Sequence, residues 1–332
     1  MNELTEQQII SLFSNKKIIR YNIKNTSHGD TDFREAIFAE FESGKKLVIK
    51  VASNAFTNSK SIIMWQRCIK EYTQLGYYCP KILMSIDNDF PTVLYKGHKC
   101  IVYAEEYSAY KSVENSNNVK PYRKDLYLMT AKIADKKFNY TDIPSAYCLF
   151  DTFPGDELDE VSQNAIEFHN YCKTLPQCFT KQTSRMYSRW KDNRSQLEKI
   201  YFKLPTSVFQ ADFNDSNVLV NQNGQFVGIY DFNLAGKDEL LNYLFREIYH
   251  GTFEEELNSI FEALKVVSSV YTFSEQEKEA ALLIYRCVKP LWYTRLQSLK
   301  KAAYDETAIQ KCLDEMEYAQ TRKIDFRSVM GD

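Results

Sequence analysis

Glycine and proline are scarce in this 332-residue chain, 10 and 8 in all. These residues are the chief breakers of regular structure, so long helices and few irregular loops are expected. The eight cysteines include no C-x-x-C pair. Their scatter excludes the short-spaced metal and redox motifs and predicts buried thiols in a reducing, cytoplasmic compartment. No apolar run approaches the length of a membrane span, and AALLIY at 280–285 is ordinary core material of an amphipathic helix. The opening MNELTEQQ is polar and unlike a secretory leader. A formal net charge of −2 argues against a general nucleic-acid binder. Internal repeats, low-complexity tracts and a G-x-G-x-x-G loop are all absent. What remains is an aromatic-rich chain, with 23 Tyr and 21 Phe, long enough for a large buried core.

The stretch that organises the chain is VFQADFNDSNVLVNQNGQFVGIYDFNLAGKDE, residues 208–239. Val218, Leu219 and Val220 make one short strand, and Phe226 to Tyr230 a second. Asn223-Gly224 lies between them, a pair that favours the positive φ angles of a tight hairpin turn. The hairpin makes neighbours of Asn217 and Asp231 and holds Asp212 on the loop just upstream. Two carboxylates and an amide at one mouth suit an oxygen-preferring cation such as Mg²⁺, with one carboxylate left for a substrate proton. The bland alternative is an ordinary hairpin with solvated polar residues at its open end.

Asp212-Phe-Asn-Asp-Ser-Asn217, followed by a hairpin and Asp231-Phe232-Asn233, resembles the catalytic loop and metal-binding motif of the aminoglycoside phosphotransferase and choline kinase family. That family typically reads His-Gly-Asp-x-x-x-x-Asn and then Asp-Phe-Gly or Asp-Phe-Asp. Here Gln210 stands where His is usual, and Asn233 where Gly or Asp is usual. The resemblance implies an α+β, two-lobed protein-kinase-like fold, with a small antiparallel-sheet N-lobe and a larger helical C-lobe. It divides the chain into a nucleotide-binding lobe at 1–107 and a helical lobe at 108–332. The second lobe carries the catalytic loop at 208–217 and the metal-binding hairpin at 217–233. It further implies Asp212 as the catalytic residue, Asn217 and Asp231 as Mg²⁺ ligands, and ATP or GTP as phosphate donor.

Ahead of that stretch, Ile18 to Ile23, Glu35 to Glu42 and Lys46 to Val51 read as three strands. Lys50 alternates with Ile49 and Val51 and so projects from the opposite face. A lysine inside an apolar strand is costly to bury alone, so an anionic partner is expected; the alternative is a solvated edge-strand lysine. The resemblance places a phosphate-binding lysine on the third strand, which is Lys50. The polar turn Asn25 to Thr31 would then meet phosphate oxygens through Thr26, Ser27, Gly29 and its backbone N–H groups. Ser59 to Leu75 carries a helical stripe of Ile62, Trp65, Ile69 and Tyr72. In the resembling family this helix supplies a glutamate to the lysine. Here the candidates are Gln66 and Glu71, and both also read as solvated helix residues. Lys81 to Ile86, Thr92 to Tyr95 and Cys100 to Ala104 complete the sheet, and Glu105-Glu106-Tyr107 resembles the purine-binding hinge.

Downstream, helices are predicted over 121–138, up to Leu175, over 186–204, 240–249 and 253–271, and over 275–302 with a kink at Pro290. Ser274 to Glu277 matches a capping box. His169 lacks a metal-ligand partner one turn on and reads as a packed core histidine. Asp156, Glu157, Asp159, Glu160 and Glu239 either line a pocket for a cationic acceptor or form a solvated acidic face. The function expected is ATP-dependent phosphorylation of a hydroxyl on a small molecule, without nucleic-acid or membrane partners, by a monomer or homodimer. The alternative is a nucleotide-binding pseudokinase acting as an interaction module. A protein kinase fits poorly, because no Ala-Pro-Glu segment follows Asp231.

Overall fold

A computed structural model of the chain describes residues 2–29, 31–249 and 251–331. Asp30, a member of the polar turn before the second strand, lies outside the described residues. In chain order the elements are α1 (Glu6–Ser11), β1 (Ile18–Asn25), β2 (Phe33–Phe41), β3 (Lys46–Ser53), α2 (Ser59–Gln74), β4 (Ile82–Leu83), β5 (Thr92–Tyr95), β6 (His98–Glu106) and β7 (Lys111–Ser112). Then come α3 (Arg123–Asp135), α4 (Glu160–Cys172), α5 (Thr180–Tyr201), β8 (Thr206–Phe209), β9 (Val218–Val220), β10 (Phe226–Ile229) and β11 (Gly236–Glu239). Helices α6 (Leu240–Glu247), α7 (Phe253–Ser268), α8 (Glu275–Val288), α9 (Tyr293–Lys301) and α10 (Glu306–Thr321) follow.

The chain folds as two compact units. One is Met1–Pro121 with Asp212–Ala235, and the other is Tyr122–Ala211 with Gly236–Asp332. The hairpin and the catalytic loop from Asp212 onward thus belong to the first unit, and residues 208–211 to the second.

That first unit is built on an antiparallel sheet in the order β1-β2-β3-β6-β4, with β5 also paired to β6. Alternation along β3 sorts its side chains. Leu47, Ile49 and Val51 are buried in a cluster with Ile9 and Ile10 of α1, while Lys50 points to the opposite face. Across the ladder Lys50 pairs with Ala36 on β2 and Tyr103 on β6. Helix α2 starts where the Asn58 side chain accepts from the Ser61 N–H, and its predicted stripe of Ile62, Trp65, Ile69 and Tyr72 is buried.

Strands β9 and β10 form the predicted hairpin, extended by β7. Its turn differs in one respect from the expectation. Only Gly224 has positive φ, at +73°, and the Gly224 N–H donates to the Asn221 carbonyl. The Asn221 side chain accepts from the N–H groups of Asn223 and Gln225, fixing a longer loop than a two-residue turn. At the other end of β10, Tyr78 straddles Gly228: its N–H donates to Val227 and its carbonyl accepts from Ile229. A Cβ at Gly228 would lie 1.8 Å from the Tyr78 carbonyl oxygen. Backbone cannot yield as a side-chain tip does, so Gly228→Ala is expected to cost about 2–3 kcal/mol. A urea midpoint within error of the wild type would refute this.

The second unit is helical, with β8 and β11 paired as a small antiparallel sheet. Its core includes Trp190 and Leu197 of α5 and Ala280, Ala281, Ile284 and Tyr285 of α8. The capping box at Ser274 and Glu277 forms as expected. Pro290 does more than kink a long helix: α8 ends at Val288 and α9 begins only at Tyr293. Lys289 before it keeps helical angles and still donates to the Tyr285 carbonyl, but Pro290 has no N–H to continue the ladder and its ring crowds the preceding turn. His169 is half-buried and stacked on Tyr187 at 4.2 Å, at the rim rather than in the core. All eight cysteines are free thiols; six are buried, Cys178 is exposed and Cys312 half-buried. Among the described residues no helix is long and apolar enough to cross a membrane.

Candidate active site

The mouth of the hairpin assembles as its sequence demands. Val218 pairs with Ile229, and the next link outward is the Tyr230 N–H donating to the Asn217 carbonyl. This sets Asn217 beside the strand that runs into Asp231. Asn217 is buried, and its Nδ2 donates to the Asp212 carboxylate at 2.9 Å and the Asp212 carbonyl at 3.2 Å. The five-residue spacing thus closes the loop on itself, leaving the Asn217 Oδ1 as the acceptor end of the amide. Asp231 sits at φ +62°, a left-handed conformation that aspartate tolerates better than most residues. Phe232 follows, buried, and packs edge-on against Tyr72 of α2 with ring centroids 5.5 Å apart. Packing of Phe232 on Tyr72 thus ties the Asp-Phe segment to α2.

Lys50 joins this group from β3. Its Nζ lies 3.6 Å from the Asp231 Oδ1 and 3.9 Å from the Glu105 Oε2. Burial pulls the Lys50 ammonium down, but Asp231 and Glu105 together outweigh it, so its proton is held more tightly than in water. Burial pushes the Glu105 carboxyl up to about 7, with Lys50 opposing. The anionic partners expected for Lys50 thus exist, Glu105 on β6 and Asp231 just beyond β10, rather than on α2. Gln66 is engaged elsewhere, its Nε2 donating to the Ile82 carbonyl at 3.0 Å. Among the described residues Glu71 forms no ion pair.

Among the described residues no hydrogen bond or ion pair joins Thr26, Ser27, Gly29 or Tyr107 to this cluster. The Ser27 hydroxyl is committed to its own hairpin end, accepting from the Arg34 N–H at 2.9 Å and donating to the Arg34 carbonyl at 3.1 Å. The Thr26 N–H also donates to that carbonyl. Gly29 takes φ +73° in the turn. Tyr107 is 49% exposed, its ring under the Lys46 ammonium at 5.6 Å. Glu105 belongs to the site through its side chain, a role that the hinge reading, based on backbone groups, did not contain.

Of the acidic residues considered for a cationic acceptor, two are structural. Asp159 caps α4 at the Ser162 N–H and is ion-paired with Arg194, and Glu239 is buried and caps α6 at the Asn242 N–H. Glu160 lies 3.5 Å from Arg246. Asp156 and Glu157 alone remain exposed. Neither a single acidic pocket wall nor a uniformly solvated face describes these five.

Solved structures decide the fold. The chain is similar to a microcompartment-associated aminopropanol kinase, with 13% identity over 95% of this chain and 94% of that one, at a TM-score of 0.60. It is similar to an aminoglycoside phosphotransferase from Alicyclobacillus acidocaldarius, with 12% identity, 99% and 95% coverage and a TM-score of 0.54. An amicoumacin kinase solved with AMP-PNP and Ca²⁺ gives 14%, 98% and 97%, and 0.54. The fold is protein-kinase-like. No family model matches the chain, and no curated protein matches it in sequence. Within this kinase-like fold the family's His-Gly-Asp is Gln210-Ala211-Asp212. Gln210 is fully buried, and Ala211 is held at φ +71°, where a glycine would carry no steric penalty.

Asp231 and Asn217 offer a carboxylate and an amide oxygen, hard donors that suit Mg²⁺. Among the described residues no group of three or more His, Cys, Asp or Glu could hold a metal ion alone.

Proposed function

We propose that the chain is an ATP-dependent phosphotransferase that phosphorylates a hydroxyl group of a small molecule. The observation that carries this reading is the convergence of Asp212, Asn217, Asp231 and Lys50 within one compact unit, linked by contacts of 2.9 and 3.6 Å. Asp231 and the Asn217 Oδ1 would hold Mg²⁺, which when bound spreads the charge of the donor's β- and γ-phosphates. Lys50 neutralises phosphate charge from the sheet side. Asp212, steadied by the Asn217 amide, orients the acceptor hydroxyl and takes its proton. Positioning and charge stabilisation carry the rate, since phosphoryl transfer asks little covalent work of a protein. The printed names of the structural neighbours, aminopropanol kinase and aminoglycoside phosphotransferase, support a small, amine-bearing acceptor.

Two substitutions test the donor side. Asp231→Asn is expected to abolish the Mg²⁺-dependent part of the thermal shift produced by ATP while leaving the unliganded melting temperature close to the wild type. An unchanged ATP·Mg²⁺ shift would remove Asp231 from the ligand set. Lys50→Ala is expected to weaken ATP by on the order of tenfold or more, because charge-assisted hydrogen bonds are the stronger class, and adenosine hardly at all. Equal losses for both ligands in calorimetric titration would place the defect in folding.

The second reading is a nucleotide-binding pseudokinase, favoured by Gln210 in place of the usual histidine and by Gln66 where the family has a helix glutamate. It shares the nucleotide predictions and parts from the first at Asp212.

A further inference from the structure

The ladder between β3 and β6 explains why a glutamate meets Lys50 from an unexpected direction. Lys50 faces Tyr103, and Val48 faces Glu105. Glu105 therefore stands two residues along β6 from the partner of Lys50, on the same face of the sheet. Diagonal neighbours of this kind have Cβ atoms about 7–8 Å apart or slightly closer, within reach of two long side chains. The Glu105 side chain is largely buried, as is that of Lys50, at 10% and 20% exposure. A buried carboxylate persists in such a place only with a cation to answer it. Helix α2, meanwhile, offers Lys50 nothing of the kind: Gln66 is tied to Ile82, and Glu71 forms no ion pair among the described residues.

We propose that Glu105 is the positioning residue for Lys50, in place of a carboxylate on α2, and that by sharing the ammonium it prevents Asp231 from being the sole counter-ion of Lys50. This rests on the phosphotransferase reading for its consequence. Lys50 is poised between two carboxylates of opposite use. Asp231 would have to ligate Mg²⁺, and a lysine drawn fully onto it would compete with the metal for the same oxygens. Glu105 pulls the ammonium back toward the sheet. Because both Lys50 and Glu105 belong to adjacent strands of one ladder, strand register sets the pair, and no movement of α2 is needed to make or break it.

The test uses the full chain and the variants Glu105→Gln, Glu105→Asp and Glu71→Gln. First, a thermal-stability cycle of Lys50→Met, Glu105→Gln and the double variant reads the pair without any nucleotide. The double variant is expected to be less destabilised than the sum of the two single variants by on the order of 2 °C or more, whereas Lys50→Met and Glu71→Gln add simply. Second, the free Mg²⁺ needed for half of the ATP-induced thermal shift is expected to rise by on the order of tenfold in Glu105→Gln. Adenosine binding should be unchanged, and Glu105→Asp should recover part of the Mg²⁺ response. A merely structural Glu105 would lower the melting temperature without moving the Mg²⁺ midpoint. Additive melting temperatures for Lys50 and Glu105, an unmoved Mg²⁺ midpoint, or the Mg²⁺ shift appearing in Glu71→Gln instead would each overturn the proposal. A wild type that shows no ATP·Mg²⁺ shift at all would sink the phosphotransferase reading and the positioning role with it, while the melting cycle would still show whether Lys50 and Glu105 are coupled.

Discussion

Asp212→Asn is expected to lower phosphoryl transfer by about 10²–10⁴-fold, the usual contribution of a positioned general base, while leaving ATP·Mg²⁺ binding near that of the wild type. The two effects separate because of where the residue sits. The Asp212 carboxylate accepts from the Asn217 Nδ2 at 2.9 Å, and an asparagine at 212 keeps an oxygen for that bond. The loop should therefore stay closed and Asn217 stay in place. What the substitution removes is the charge and the site that would take the acceptor's proton. Lys50, the residue placed on the phosphates, is ion-paired with Asp231 and Glu105, so ground-state contacts to the triphosphate have little reason to change. A coupled assay for ADP release, run first with water and then with a panel of small amino alcohols and aminoglycosides, measures the loss. Full turnover in the variant would end the assigned role. A wild type that binds ATP·Mg²⁺ and turns over no acceptor, water included, would make the pseudokinase the better reading.

The hairpin was legible because its determinants are local. Asn-Gly, two short apolar runs and the Asp-Phe that follows all fall within one continuous stretch, and turn chemistry alone brings their ends together. The three early strands and α2 were legible for the same reason, since alternation and a helical stripe are read without knowing what packs against them. The partner of Lys50 was not. It depends on the register between β3 and β6, which are distant in sequence, and a shift of one residue would turn Glu105 to the other face of the sheet. The family pattern pointed instead to α2, where this chain carries Gln66. The capping roles of two acidic residues were hidden for a different reason. Composition marks Asp159 and Glu239 as charged and says nothing of burial, yet each serves as the N-cap of a helix. Helix α10 carries a local signal of the same kind: Asp305 as cap, then Ile309, Leu313 and Met316 at helical spacing, all three buried.

Lys289→Met is expected to destabilise the second unit by about 3–5 kcal/mol, the cost of breaking a buried ion pair from one side. The Lys289 side chain is fully buried, and all three of its ammonium donors are used. It donates to the Phe245 carbonyl at 2.8 Å and the Ile248 carbonyl at 2.6 Å, and lies 3.1 Å from the Glu256 Oε2. Phe245 and Ile248 belong to the last turn and the C-cap of α6, whose carbonyls lack partners within the helix. Methionine fills the space but leaves those carbonyls undonated and Glu256 with Arg295, at 3.4 Å, as its remaining cation. Replacing Lys289 and Glu256 together by apolar residues should restore part of the loss, because no buried charge is then stranded. The deficit also has a pH signature. Burial holds the Lys289 ammonium down at about 8, below its ordinary 10.5, against the pull of Glu256 and with Arg295 and Arg246 adding to the decrease. Below about 8 both folded and unfolded chains keep the proton, so the difference between wild type and Lys289→Met should be flat there. From about 8 towards 10.5 the unfolded chain binds a proton that the folded chain has released, so the wild type gains stability relative to the variant as pH rises. Urea denaturation at about pH 7 and about pH 9.5 should therefore show the gap widening at the higher value. A gap that narrows over this interval would mean that the folded chain holds the Lys289 proton more tightly than the unfolded one, contrary to the burial argument.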